Sequence, residues 1–201
     1  SSSAFSLPDD IYLDDEDVLR PLQLCYDSLL ESGLAEIAQL ELLDVIRRVH
    51  CFGLTLLKLD IRQDSTRHLD VLDAMTDYLQ LGHYATWSEA EKQAFLLREL
   101  QNPRPLLPRH LRAQPQQRIE QPDVQEVLAT FRTIAQHPNS SFGAYIISMA
   151  SQPSDILAVM LLQKEAEVAP FLRVVPLFET LADLEQAADC LDALLSIEWY
   201  K

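Results

Sequence analysis

"FGLTLLKLDIRQDSTRH", residues 52–68, decides how the rest of the chain is read. From Phe52 to Ile61 it is almost wholly apolar, short for a helix and opened by Gly53, which predicts a strand buried on both faces. Charge then arrives abruptly with Asp60, Arg62, Asp64, Arg67 and His68, while helical spacing starts at Ser65 and runs to Leu81 through Leu69, Leu72, Met75 and Leu79. The same order recurs twice downstream. "FGAYIISMAS" (142–151) precedes a helix opened by Pro153 and Ser154, and "FLRVVPLFE" (171–179) precedes Thr180, placed to cap "LADLEQAADCLDALLSI". Three buried strands, each followed by a helix, predict successive β/α units with parallel strands, the opening of an α/β sheet or barrel.

Upstream, apolar residues at helical spacing predict one helix over 18–30, stopped by Gly33. They predict a second over about 34–49, with Ile37, Leu40, Leu43, Ile46 and Val49 on one face. Between the first two strands, Ser88 and Glu91 form a capping box that starts a helix over 87–100, and another helix is expected over 123–136. Residues 102–122 hold five prolines and resist regular structure. These readings divide the chain into an N-terminal helical segment, 1–50, and an α/β part, 51–201, with a helical and proline-rich excursion at about 82–140. The start, "SSSAFSLPDD", reads as a flexible lead-in.

Composition narrows the function classes. With 48% apolar residues the chain can bury a core, and a formal net charge of −15 disfavours nonspecific attraction to nucleic acid or to an anionic membrane. An anionic ligand therefore needs a local cationic cluster working against the overall field. The three cysteines, Cys25, Cys51 and Cys190, are widely spaced and fit neither a disulfide framework nor a zinc site, so a reducing cytoplasm is expected. No apolar run approaches the ~20 residues of a membrane span. Neither glycine-rich phosphate loop, G-x-G-x-x-G or G-x-x-x-x-G-K-[ST], occurs.

The three strand ends carry polar residues: Asp60, Arg62 and Gln63 on the first, Ser148, Met149 and Ser151 on the second, Glu179 and Thr180 on the third. Functional groups of parallel α/β proteins gather at such ends, so one shared site is expected. Arg62 suits a phosphate or carboxylate, which a guanidinium grips through two parallel hydrogen bonds; a salt bridge to Asp60 or Asp64 is the alternative. Glu179 offers oxygen to a hard divalent cation or serves as a charge at a helix N-terminus. His68 and Arg67 are read as structural, Arg67 in an ion pair, with acid–base and phosphate-binding roles as the alternatives. Arg104, Arg109, Arg112 and Arg118 read as a solvated loop, since no aromatic residues interleave them.

Three stretches taken together, "CFGLTLLKLDIRQDSTRH" (51–68), "FGAYIISMASQPSDILAVMLLQKEA" (142–166) and "VVPLFETLADL" (174–184), resemble the phosphoenolpyruvate carboxylase family in the family's own order. The resemblance implies a helix-rich α/β protein, a partial TIM-like (β/α) barrel of about three parallel strands preceded by and interleaved with helices. It implies an enzyme, a carbon–carbon lyase that joins phosphoenolpyruvate to bicarbonate with Mg²⁺ or Mn²⁺, giving oxaloacetate and phosphate for the tricarboxylic acid cycle. By the same resemblance, Arg62 contacts the substrate phosphate and Glu179 is one of two acidic metal ligands, with Asp60, Gln63 and Arg67 in support. It further implies a cytoplasmic, homotetrameric parent. The family's second acidic ligand and its glycine-rich loop match nothing in these 201 residues, so the chain is expected to be an internal fragment, inactive alone. The alternative is a non-catalytic truncated module that pairs with other barrel segments or subunits.

Overall fold

The computed structural model describes residue 12 and residues 14–107 and 121–201. The lead-in "SSSAFSLPDD" and the arginines at 109, 112 and 118 lie outside these residues. The described chain falls into two compact units that divide between Lys58 and Leu59.

In the first unit, α1 (Asp15–Glu31) is capped by Asp14, whose side chain accepts from the Glu16 amide, and carries Asp15, Glu16 and Asp17 in its first turn, where the helix dipole favours negative charge. The second expected helix is broken. It comprises α2 (Ala35–Ile37), a π-helical turn (Ala38–Leu42) in which Leu40 leaves helical geometry at φ −86°, ψ −115°, and α3 (Leu43–Phe52). A π turn shifts the side-chain phase, so the expected single face does not form. Ile46 is buried while Ile37 and Leu40 are 56% and 68% exposed.

The reading of 52–61 as one strand is also corrected. Phe52 closes α3, and Gly53 turns the chain at φ +58°. A Cβ there would lie 2.7 Å from Asp15 Oδ2, and the Leu54 amide donates to Asp15 Oδ1 at 2.7 Å, so only glycine fits this close approach. The strand β1 (Leu59–Asp64) begins six residues later and is not buried on both faces: Leu57 and Leu59 are 74% and 65% exposed.

The second unit is an open three-stranded parallel sheet of order β1-β2-β3, with helices packed against it. Strand β1 leads into α4 (Ser65–Tyr78), capped by Asp64, which accepts from the Thr66 amide. Next comes α5 (Glu89–Gln101), whose Ser88/Glu91 capping box is present as read, and then α6 (Pro122–Gln136). Strand β2 (Phe142–Ser148) precedes α7 (Pro153–Glu165), and β3 (Arg173–Pro176) precedes α8 (Leu181–Ser196), capped by Thr180. Helix α7 is buried almost all round, with Ile156, Leu157, Val159 and Leu161 inaccessible, which fixes it as the central helix of the core. Its C-terminus anchors the proline-rich segment. Lys164 Nζ donates to the carbonyls of Glu99 and Asn102, while the buried Glu165 accepts from the Leu106 and Leu107 amides at 2.8 and 3.0 Å. These six groups satisfy the end of α5 and residues 102–107 that follow it without regular structure.

Candidate functional site

The three parallel strands end on one side, and the polar residues there are joined directly. Ser65 Oγ donates to the Met149 carbonyl at 2.9 Å and the Leu177 amide to the Ile147 carbonyl at 2.8 Å, which ties the ends of β1, β2 and β3 together. Met149, in left-handed backbone at φ +56°, turns the chain out of β2. Asp155 in α7 then accepts from the Ser151 and Gln152 amides, and burial raises its pKa above the ordinary carboxylate value.

Across this edge Arg62 Nη2 donates to Glu179 Oε1 at 2.7 Å. The two residues that sequence reading singled out are thus partners, 117 positions apart. The expected alternative for Arg62, a salt bridge to Asp60 or Asp64, does not form: Asp60 Oδ1 accepts the Ala144 amide at 2.8 Å and Asp64 caps α4. Both partners are about half exposed, with side-chain exposures of 57% and 40%, so the pair contributes on the order of 1 kcal/mol or less to folding. A weak, accessible pair of this kind can be opened by a ligand at small cost. Arg62 keeps donors for an anion, and Glu179 keeps its second oxygen.

The supporting residues separate. Gln63 Oε1 accepts the amide of Asp64, and the Gln63 carbonyl accepts from Ser148 Oγ at 3.4 Å, so Gln63 shapes the strand end. Arg67 points elsewhere, to Asp123 at 2.8 Å and Glu126 at 2.5 Å on α6; the Asp123 hydrogen bond leads the causes that raise its pKa. Its structural reading is the one the geometry supports, with partners no local spacing could have named.

His68, 1% exposed, is packed against both Phe131 and Tyr145, and its Nε2 lies 2.8 Å from Tyr145 Oη. Burial lowers its pKa to about 4, opposed by Asp64, which keeps the ring neutral at pH 7. Phe131 and Tyr145 stack at 5.1 Å, 6° from parallel. Sequence reasoning missed Tyr145, whose partner is 77 residues away and whose run looks like any apolar strand.

Among the described residues no three His, Cys, Asp or Glu side chains gather into a metal-holding group. Hard divalent cations take six or more oxygens, several of them water, and Glu179 supplies one carboxylate. The described residues therefore offer Glu179 as a single carboxylate and do not by themselves build a Mg²⁺ or Mn²⁺ centre. Cys25 and Cys51 are exposed and Cys190 is buried, all three unpaired. Among the described residues no helix is long and apolar enough to cross a membrane.

A family model described as phosphoenolpyruvate carboxylase matches residues 2–201. The chain is 56% identical over 186 residues to a phosphoenolpyruvate carboxylase of Acinetobacter baumannii, an alignment covering 92% of this chain and 21% of the relative. It is 50% identical over 194 residues to that of Shewanella halifaxensis, covering 96% and 21%, and 50% identical over 190 residues to phosphoenolpyruvate carboxylase 1 of Chlamydomonas reinhardtii, covering 94% and 19%. The chain spans about a fifth of the length of the curated relatives it matches. With a match running through the strand-end residues Arg62 and Glu179 and over nearly every position, the chain belongs to the phosphoenolpyruvate carboxylase family.

Proposed function

We propose that this chain contributes the phosphate-binding arginine and one acidic metal ligand to the active site of an enzyme that carboxylates phosphoenolpyruvate with bicarbonate. The observation that carries the reading is the meeting, at 2.7 Å, of Arg62 in the C-terminal half of β1 and Glu179 just past β3, at the strand ends where parallel α/β sheets place their ligands. Arg62 holds the phosphate through parallel hydrogen bonds and neutralises charge as the phosphoryl group departs. Glu179 gives one oxygen to Mg²⁺ or Mn²⁺, which supplies charge neutralisation when bound; the remaining donors come from outside these 201 residues. The open sheet is then part of a TIM-like barrel, and the complete protein is a cytoplasmic homotetramer feeding oxaloacetate to the tricarboxylic acid cycle.

One carboxylate and one arginine do not position bicarbonate against an enolate, because a bimolecular step is accelerated only when both reactants are held in register. The 201-residue chain alone is therefore expected to show no turnover of phosphoenolpyruvate in a malate dehydrogenase-coupled assay with Mn²⁺ and bicarbonate, and measurable turnover would overturn that. In a full-length carboxylase carrying this segment, Arg62→Ala should raise the KM for phosphoenolpyruvate by tenfold or more, and Glu179→Gln should raise the Mn²⁺ concentration needed for half activation. A second reading, a non-catalytic module that pairs with other barrel segments, draws on the exposed Leu57 just before β1 and the exposed Leu59 at its start. Adding the missing segments in trans separates the two: restored carboxylation supports the first reading, and binding without activity supports the second.

A further inference from the structure

Strands β1 and β2 are out of step at one place. Leu59 lies opposite Phe142 and Ile61 opposite Tyr145, so β2 uses three residue steps where β1 uses two, and Gly143 and Ala144 occupy the stretch that Asp60 alone spans on β1. A bulge of this kind strands a backbone amide that the regular ladder cannot pair. Here the stranded amide is Ala144, and the Asp60 carboxylate accepts it at 2.8 Å.

The bulge lets Arg62 and Tyr145 face opposite ways. Beyond it Ile61, Tyr145 and Val174 align across the sheet, as do Arg62, Ile146 and Val175. Paired residues of neighbouring strands share a face. Tyr145 and Val174 are buried against the helices, at 0% and 8% exposure, so Arg62 belongs to the opposite, accessible face, beside Glu179. Without the extra residue in β2, Arg62 would pair with Tyr145 and share its face, so that either Arg62 entered the core or Tyr145 left it. A one-residue slip of register moves a strand's whole side-chain set to the other face.

We infer that Asp60 is a positioning residue: by accepting the Ala144 amide it holds the β2 bulge, and the bulge presents Arg62 to the phosphate. The claim about Arg62's ligand rests on the function proposed above; the claim about the bulge does not. Asparagine keeps an acceptor oxygen at the same position and alanine removes it, so Asp60→Asn and Asp60→Ala form the informative pair.

Hydrogen exchange measured by NMR on the 201-residue chain tests the bulge. Asp60→Ala should speed exchange of the Ala144 amide at least tenfold, with loss of the hindered rotation that the Glu179 contact imposes on the Arg62 guanidinium. Asp60→Asn should preserve both. Exchange of Ala144 within twofold of wild type in Asp60→Ala, or an undisturbed Arg62 guanidinium, would overturn the inference. In a full-length carboxylase carrying this segment, Asp60→Ala should raise the KM for phosphoenolpyruvate about tenfold with kcat within twofold, and Asp60→Asn should restore it. A fall in kcat at unchanged KM would mean that Asp60 acts otherwise. Arg62→Ala reads the phosphate assignment separately: if it leaves KM unchanged, that assignment fails while the exchange result still judges the role of Asp60.

Discussion

Two stretches begin alike and end apart. "FGLTLLKLDI" (52–61) and "FGAYIISMAS" (142–151) both open on Phe-Gly and continue with similar apolar runs, yet the second forms the central strand while the first spends seven residues on a helix end and turns before pairing. Strand β2 has neighbours on both edges and places Tyr145 and Ile147 at 0% exposure; among the described residues β1 pairs on one edge only, with Leu57 and Leu59 open to solvent. Hydrophobicity, then, states what a stretch can bury, and position in the sheet states what it does bury.

The largest test of that contrast is Tyr145→Ala, which removes a fully buried ring that stacks on Phe131 and bonds His68. A loss of about 3–5 kcal/mol is expected, read from the urea midpoint, and a loss below about 1 kcal/mol would break the claim that β2 organises the core.

A pH titration probes the same place from the side of His68. Its folded pKa of about 4 lies below the ordinary imidazole value of 6.5, so the unfolded chain takes up the proton first as pH falls. The stabilisation is full above pH 6.5 and is lost progressively down to about pH 4, by up to roughly 3 kcal/mol, since each pKa unit is about 1.4 kcal/mol. Urea midpoints measured from pH 7.5 to 4.5 should show this decline, and His68→Asn should flatten it. A flat profile in the wild type would remove the buried, neutral imidazole. At the small end, Leu57→Ala on the exposed side should change stability by less than about 0.5 kcal/mol. A cost above about 1.5 kcal/mol would show Leu57 to be covered and would erase the contrast.

Most helix positions were legible because their signals are local. The Ser88/Glu91 box, Thr180 before α8 and Pro153 at the start of α7 each act within one turn, so spacing alone locates them. The failures lie where a distant group intervened. Gly53 ends α3 in contact with Asp15, and the π turn at 38–42 rotates the face that Ile37 and Leu40 were expected to share. At the site, Arg62 and Glu179 were legible from their strand-end positions and from the family resemblance. That they bond each other was not, because 117 residues of chain separate them.

The sequence by itself determined the order of elements, the strand–helix alternation, the acidic surface charge and the residue types at the strand ends, all set by short-range periodicity and composition. Tertiary structure alone decided that β2 is central and β1 an edge, that Arg67 turns to α6, and that His68 is sealed against Tyr145. It also placed one extra residue in β2, held by Asp60, which lets Arg62 face solvent while Tyr145 faces the core. The reason is physical: strand register and burial depend on which segments meet across the sheet, and the local pattern of one segment does not specify its partner.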